Sequence, residues 1–424
     1  MLKYLIKYFS LDAGGANLAT KNVITALDIG STHVRAMIAE PGSGGNINII
    51  GVGTSLSRGI KNGGIIDLEK TTDAIANAIE QAERMAGVEV NSAFVGIIGA
   101  HVQLIENNGV VAVSREDKEI TPEDVERAIQ AAKVIALPPD REISDVIPIQ
   151  FIVDGYDGIR DPVGMLGVRM EVEALVVSGK STSIHNMLRC VSRAGLEVDG
   201  MVLNSIANGE ALLTYDEKEL GVASIDIGGG TTEISFFRNG HLEEIDVIYI
   251  GGNHISNDIA VGLKTPQKEA EQLKIKHGFA IAEMANEEIL EIAQVGERAP
   301  IKISTQELAE IIEPRVQEIF QMVYARLGKL GYQTKDLPAG IVLTGGVTKL
   351  DGIKEIAEYE LNLPVRIGEP KVLGANNPIY TTSVGILRYV HSNELQQMVA
   401  EKNTNSSVTG LFTRIKEWFL DFFE

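Results

Sequence analysis

The sequence predicts an α/β protein built from two duplicated lobes, with a subdomain inserted in the first. Two observations carry this. The stretch Ala26-Leu27-Asp28-Ile29-Gly30 returns as Ser224-Ile225-Asp226-Ile227-Gly228, each time between two strand patterns. A repeat so widely spaced marks paired lobes, because solenoid units run about 20–50 residues. The block 88–167 then interrupts the first lobe with a strand and helix rhythm of its own. The chain has 424 residues and is 44% hydrophobic, enough to fill the cores of two or three domains.

The first lobe opens at Val23 with a strand to Ile29, a tight turn, a strand over Val34–Ala39 and a third through Ile47, Ile49 and Val52. A helix over Leu68–Met85 follows from Ile75, Ala78, Ile79 and Ala82 at helical spacing, with Gly87 as its stop. In the inserted block, strands are expected over 93–99, 110–113 and 146–153. A helix begins at Thr121, whose hydroxyl can cap, with Pro122 in the first position and Asp124 to close a capping box. The strand Met170–Val177 and a helix over Ser181–Ala194 are read as the return to the first lobe, giving lobe segments 23–87 and 168–203. The second lobe occupies 204–262 and 312–390, with a small subdomain at 263–311 between them. Residues 1–22 read as an N-terminal tail with Leu2, Leu5, Ile6 and Phe9 on one helical face.

Composition excludes several roles. A formal charge of −20 repels phosphodiester backbones, so nucleic acid is not an expected partner. The single cysteine, Cys190, rules out an intrachain disulfide, and the seven histidines show no metal-binding spacing. No apolar run approaches the roughly 20 residues of a membrane-spanning helix.

The chemistry is expected in the turns. Asp28-Ile29-Gly30-Ser31-Thr32 and Asp226-Ile227-Gly228-Gly229-Gly230-Thr231-Thr232 each join two strands through Gly and hydroxyl residues. Such turns aim backbone N–H groups into one concavity, and glycine lets a phosphate approach. Asp28 and Asp226 end buried strands beside those phosphates, where Mg²⁺ held through water would offset their charge. Neither turn opens a helix, which argues against a dinucleotide fingerprint, and no P-loop motif occurs. A third signal is the strand 339–344 ending in Gly345-Gly346-Val347, where paired glycines permit a purine or ribose to lie flat on the backbone.

In this order, the three signals resemble the phosphate- and adenosine-binding loops of the actin-like ATPase superfamily, over about Val23–Tyr389. Within it the chain is most similar to the FtsA family of bacterial cell-division proteins. That narrower resemblance rests on Asn48-Ile49-Ile50-Gly51-Val52-Gly53, Asp161-Pro162-Val163-Gly164, Gly167-Val168-Arg169-Met170, Glu269-Ala270-Glu271-Gln272-Leu273-Lys274 and Ile312-Glu313-Pro314-Arg315. The resemblance implies ATP and Mg²⁺ as ligands, with Glu271 and Lys274 holding ribose and adenine. It further implies that the inserted block makes protomer contacts in a polymer, and that 263–311 receives the C-terminal peptide of the tubulin-like protein FtsZ, with Arg298 and Lys302 as basic contacts. Other division proteins are implied as partners. No acid stands in the segment Val202-Leu203-Asn204-Ser205 to orient water, so ATP turnover is expected to be slow.

The end of the chain discriminates among relatives. Residues 391–410 read as a polar, flexible linker. Beyond it Leu411, Phe412, Ile415, Trp418, Phe419, Phe422 and Phe423 form one helical face. Over 411–424 that helix would measure roughly 20 Å, too short to cross a bilayer, so it would lie in the membrane interface. FtsA proteins end in such a helix, which places the protein at the cytoplasmic face of the cell membrane at the division site. The alternative is a pilus-assembly protein like PilM, which shares the insert but has no aromatic tail.

Overall fold

A computed structural model describes residues 23–42, 46–296 and 299–404, the last twelve as backbone only. The first lobe starts as a meander: β1 (Ile24–Ile29), β2 (His33–Pro41) and β3 (Ile47–Leu56), followed by a short hairpin of β4 (Ile60–Lys61) and β5 (Gly64–Ile65). Helix α1 (Leu68–Ala86) begins where Asp67 accepts from the Lys70 amide at 3.1 Å and ends at Gly87 with φ 70°. It lies directly on β3, because a Cβ at Gly53 would stand 1.8 Å from the Ala78 carbonyl oxygen. Strand β6 (Ser92–Ile97) adds parallel to β1.

The inserted subdomain holds β7 (Val102–Ala112), α2 (Pro122–Ala132), β8 (Arg141–Val153), β9 (Tyr156–Ile159) and β10 (Arg169–Lys180), in the sheet order β7-β10-β8-β9. The Thr121–Asp124 capping box forms as the sequence implies. Two boundaries differ from the sequence reading. The strand at 93–99 belongs to the first lobe, since β6 pairs with β1, whereas Met170–Val177 lies inside β10, the central partner of β7 and β8. The insert therefore spans about β7 to β10 and not 88–167.

The chain returns through α3 (Ser181–Arg193) and β11 (Glu197–Leu203), completing a sheet ordered β11-β6-β1-β2-β3. Next come α4 (Asn204–Leu212) and α5 (Tyr215–Leu220), then the second lobe's meander β12 (Val222–Ile227), β13 (Thr232–Arg238) and β14 (His241–Ile248). Helices α6 (Gly252–Leu263) and α7 (Gln267–His277), the hairpin β15 (Ile289–Ile292) and β16 (Ile301–Ser304), and α8 (Thr305–Lys329) lead to β17 (Ile341–Thr344), α9 (Ile353–Leu361) and β18 (Val365–Ile367). This sheet runs β14-β13-β12-β17-β18. Each lobe thus has three antiparallel strands followed by two parallel ones, which is the duplication that the repeat implies.

Helix α10 (Thr381–Thr404) crosses back to the first lobe and packs on α4. The helices touch closely, since a Cβ at Gly385 would lie 1.9 Å from the Ala207 carbonyl oxygen. Residues 391–404, read as the first part of a flexible linker, are helical here. The remainder, with the apolar face Leu411–Phe423, and the tail 1–22 lie outside the described residues.

Candidate functional site

The two Asp-led hairpins have the same geometry. Gly30 donates its amide to the His33 carbonyl at 3.1 Å, and Gly228 donates to the Thr231 carbonyl at 2.9 Å. Across the strands Asp28 pairs with Arg35, and Asp226 with Glu233. The hairpins meet tip to tip. Thr32 donates its hydroxyl to Asn253 at 3.0 Å, and a Cβ at Gly229 would stand 1.8 Å from the Thr32 hydroxyl. Glycine at 229 is what lets the lobes approach.

Between the lobes lies a cavity of about 310 Å³, at the lower end of the range for ligand pockets. It is lined by Asp28, Gly30, Ser31 and Thr32 from one hairpin and by Asp226, Gly228, Gly229 and Thr231 from the other. Glu271 and Lys274 of α7 form one wall, and Gly345, Gly346 and Val347 another. Gly345 has φ 92°, and a Cβ there would lie 2.4 Å from the Asp226 carboxylate. Two expected residues stand apart from the lining. Gly230 packs its backbone on Ser31, and buried Thr232 donates its hydroxyl to the Ile250 carbonyl at 2.9 Å.

The electrostatics are those of a site waiting for charge. Burial pushes Asp226 up to about 7, helped by the neighbouring Glu233 and Asp28. Asp28 is raised by burial, with Arg35 pulling the other way from 3.6 Å. Among the described residues no three His, Cys, Asp or Glu side chains converge to hold a metal directly. Asp28 and Asp226 face the cavity as two buried carboxylates from opposite lobes, a pair whose charge a hydrated dication can offset. Among the described residues none accepts a hydrogen bond from the buried Arg35 Nε, so a cationic donor stands beside them. Lys274 is held by the Gly252 carbonyl at 2.9 Å, Ser256 at 2.8 Å and Glu271 at 2.7 Å. Burial nevertheless lowers its pKa.

Sequence reading missed His33, Arg35, Asn204, Asn253 and Glu233, which also line the cavity. Glu233 bears on the acid sought near Val202–Ser205. Its carboxylate accepts from the Ser205 hydroxyl at 2.5 Å and from the Gly99 amide at 2.8 Å. The pairing register of the second hairpin carried the signal, since the residue seven positions after Asp226 returns beside it. Of the residues expected to contact a partner peptide, exposed Lys302 pairs with Glu291 at 3.3 Å across β15 and β16, and Arg298 lies outside the described residues.

Comparisons with known proteins agree with this architecture. The family model described as "Cell division protein FtsA" matches residues 223–385, and the one described as "SHS2 domain inserted in FTSA" matches 99–178. The second range is close to the insert delimited by sheet pairing. The cell division protein FtsA of Pseudomonas aeruginosa is 42% identical over 380 residues, covering 88% of this chain and 90% of that protein. The FtsA of Bacillus subtilis is 45% identical over 369 residues, covering 87% and 83%. Among solved structures, the PilM–PilN type IV pilus biogenesis complex matches with a TM-score of 0.60 at 15% identity, over 87% of this chain and 98% of that one. MreB5 of Spiroplasma citri bound to ADP matches at 0.53 and 14%, over 91% and 99%. These two likenesses show an actin-like fold and no more. Identity above 40% across most of both chains goes further: this chain belongs to the FtsA family of cell division proteins.

Proposed function

We propose that the chain binds ATP with Mg²⁺ in the cleft, and that the nucleotide selects a closed form which polymerises on the inner face of the cytoplasmic membrane and anchors FtsZ filaments there. The convergence of the two Asp-led hairpins across one cavity carries the nucleotide part. Asp28 and Asp226 take the hydrated Mg²⁺, the hairpin amides with Ser31, Thr32 and Thr231 take the phosphates, and Glu271, Lys274 and Gly345–Val347 take the nucleoside. The MreB5 neighbour, bound to ADP, supports a nucleotide in such a fold. A ligand that touches both lobes favours whichever arrangement lets it touch both, which couples binding to shape.

The membrane part rests on the apolar face Leu411–Phe423 and on family membership. No helix among the described residues is long and apolar enough to cross a membrane, so the attachment proposed is peripheral, at the division site. One short helix binds reversibly, and assembly makes many act together. FtsZ binds through its C-terminal peptide at 263–311, beside Lys302, and further division proteins dock on the assembled body. The PilM reading is not favoured, because its likeness is one of fold at 15% identity.

The test is sedimentation with liposomes of the full chain beside one ending at Val408, with and without FtsZ. The full chain should pellet and carry FtsZ with it, whereas the shortened chain should stay in solution. Equal pelleting of the two would reject the membrane role.

A further inference from the structure

At its start, strand β2 alternates between core and cleft. Val34 packs into the first lobe's core, so His33 and Arg35 point to the opposite face, where Arg35 pairs with Asp28. His33 lines the cavity, and no described residue hydrogen-bonds its ring. The charged groups facing it come from both lobes: Arg35 on its own strand, and Glu271 and Lys274 on α7. Glu271 is already bound to Lys274 and Ser256, so it is not free to pair with the imidazole.

From this geometry we infer that His33 is a contact for the ligand's phosphate chain that takes up a proton as the nucleotide binds. The inference rests on the nucleotide reading above. In the free chain, burial and the Arg35 guanidinium hold the imidazole below its ordinary value of 6.5, so it is neutral at pH 7. An arriving phosphate reverses the local field. It offsets the charge of Arg35 and sets an anion against the ring, both of which favour the imidazolium. The proton comes from solvent. Because the bound-state pKa exceeds the free one, the contribution of His33 to affinity is greatest below the free-chain value and falls as pH rises through the bound value. Each pKa unit gained corresponds to about tenfold in affinity.

Calorimetry of Mg-ATP binding to the full chain, in two buffers of different ionisation enthalpy at pH 7, reads the proton directly. The nucleotide's own titration is removed by comparison with His33→Gln and His33→Lys, which carry a permanently neutral and a permanently charged group. Wild-type protein should take up more protons than either variant, and its ratio of affinity at pH 6 to that at pH 8 should exceed the ratio for His33→Lys by about tenfold, the comparison removing the opposing titration of Asp226. His33→Lys and His33→Gln should both lose the low-pH gain that His33 supplies, and His33→Gln should also bind more weakly. Equal proton uptake in wild type and both variants would overturn the role of His33 while leaving the nucleotide site standing. Absence of binding at every pH in the wild-type chain would remove the nucleotide reading itself, and this inference with it.

Discussion

Asp226 and Glu233 lie side by side on adjacent strands of the second lobe, in the register that sets Asp28 beside Arg35 in the first. The duplicated position therefore holds an acid and a base in one lobe and two acids in the other. Burial raises both acids of the second pair, and Asp226 stands at about 7. A pair like this costs stability in the empty protein and is relieved by a dication.

Asp226→Asn should therefore raise the melting temperature of the nucleotide-free chain at pH 8 while abolishing Mg-ATP binding. The sign follows from linkage. With its folded pKa above the unfolded 3.8, Asp226 binds a proton in the native state that the unfolded chain lacks, so stability falls as pH rises from about 4 to 7. The substitution should flatten that fall, which thermal melts across pH will show.

Replacing Glu233 separates its two roles. Glu233→Gln keeps an acceptor for the Gly99 amide and a polar group for Ser205, so its melting temperature should hold or rise slightly. Glu233→Ala strands both buried donors and should cost about 1–3 kcal/mol in denaturant titration.

Gly229→Ala drives a methyl group into Thr32 across the lobe boundary, with Asn253 of its own lobe close behind. The second lobe can fold with that methyl, but the hairpins cannot meet. ATP affinity should fall at least tenfold, measured by equilibrium dialysis, with the melting temperature of the empty chain changed by less than for Glu233→Ala.

Lys274→Met removes the group that gathers Gly252, Ser256 and Glu271. The loss should be about 1–3 kcal/mol of stability, because three acceptors lose their donor in a largely buried place. Mg-ATP affinity should fall as well. Glu271→Gln, in a more exposed position, should cost less on both counts when melts and titrations are compared.

The hairpins were legible because their signal is local: a strand, a turn rich in glycine and a strand, repeated around Asp28 and Asp226. The helix stop at Gly87 and the cap at Thr121 were legible for the same reason. Sheet membership was not, because apolar strands such as Ser92–Ile97 and Arg169–Lys180 carry no mark of which neighbour they pair with. The insert's edges moved accordingly. Glu233 and His33 were missed because a strand's polar residues gain meaning only when the opposite lobe is placed against them. Residues 391–404 misled for another reason. Their polar composition matches a linker, yet Glu, Leu, Gln, Met and Ala within them are strong helix formers.

That last helix changes the mechanics of the chain's end. Helix α10 begins at the cleft, where Thr382 donates to Asn208 at 3.0 Å and Asn208 in turn donates to Asp226 at 3.1 Å. Over its 24 residues it runs about 36 Å. A rope would let the body drift and spin above whatever surface holds its final residues. A mast rooted beside the cleft acid Asp226 carries the departing chain in one direction as far as Thr404, and on the membrane reading proposed above that direction would bias how each subunit faces its neighbours.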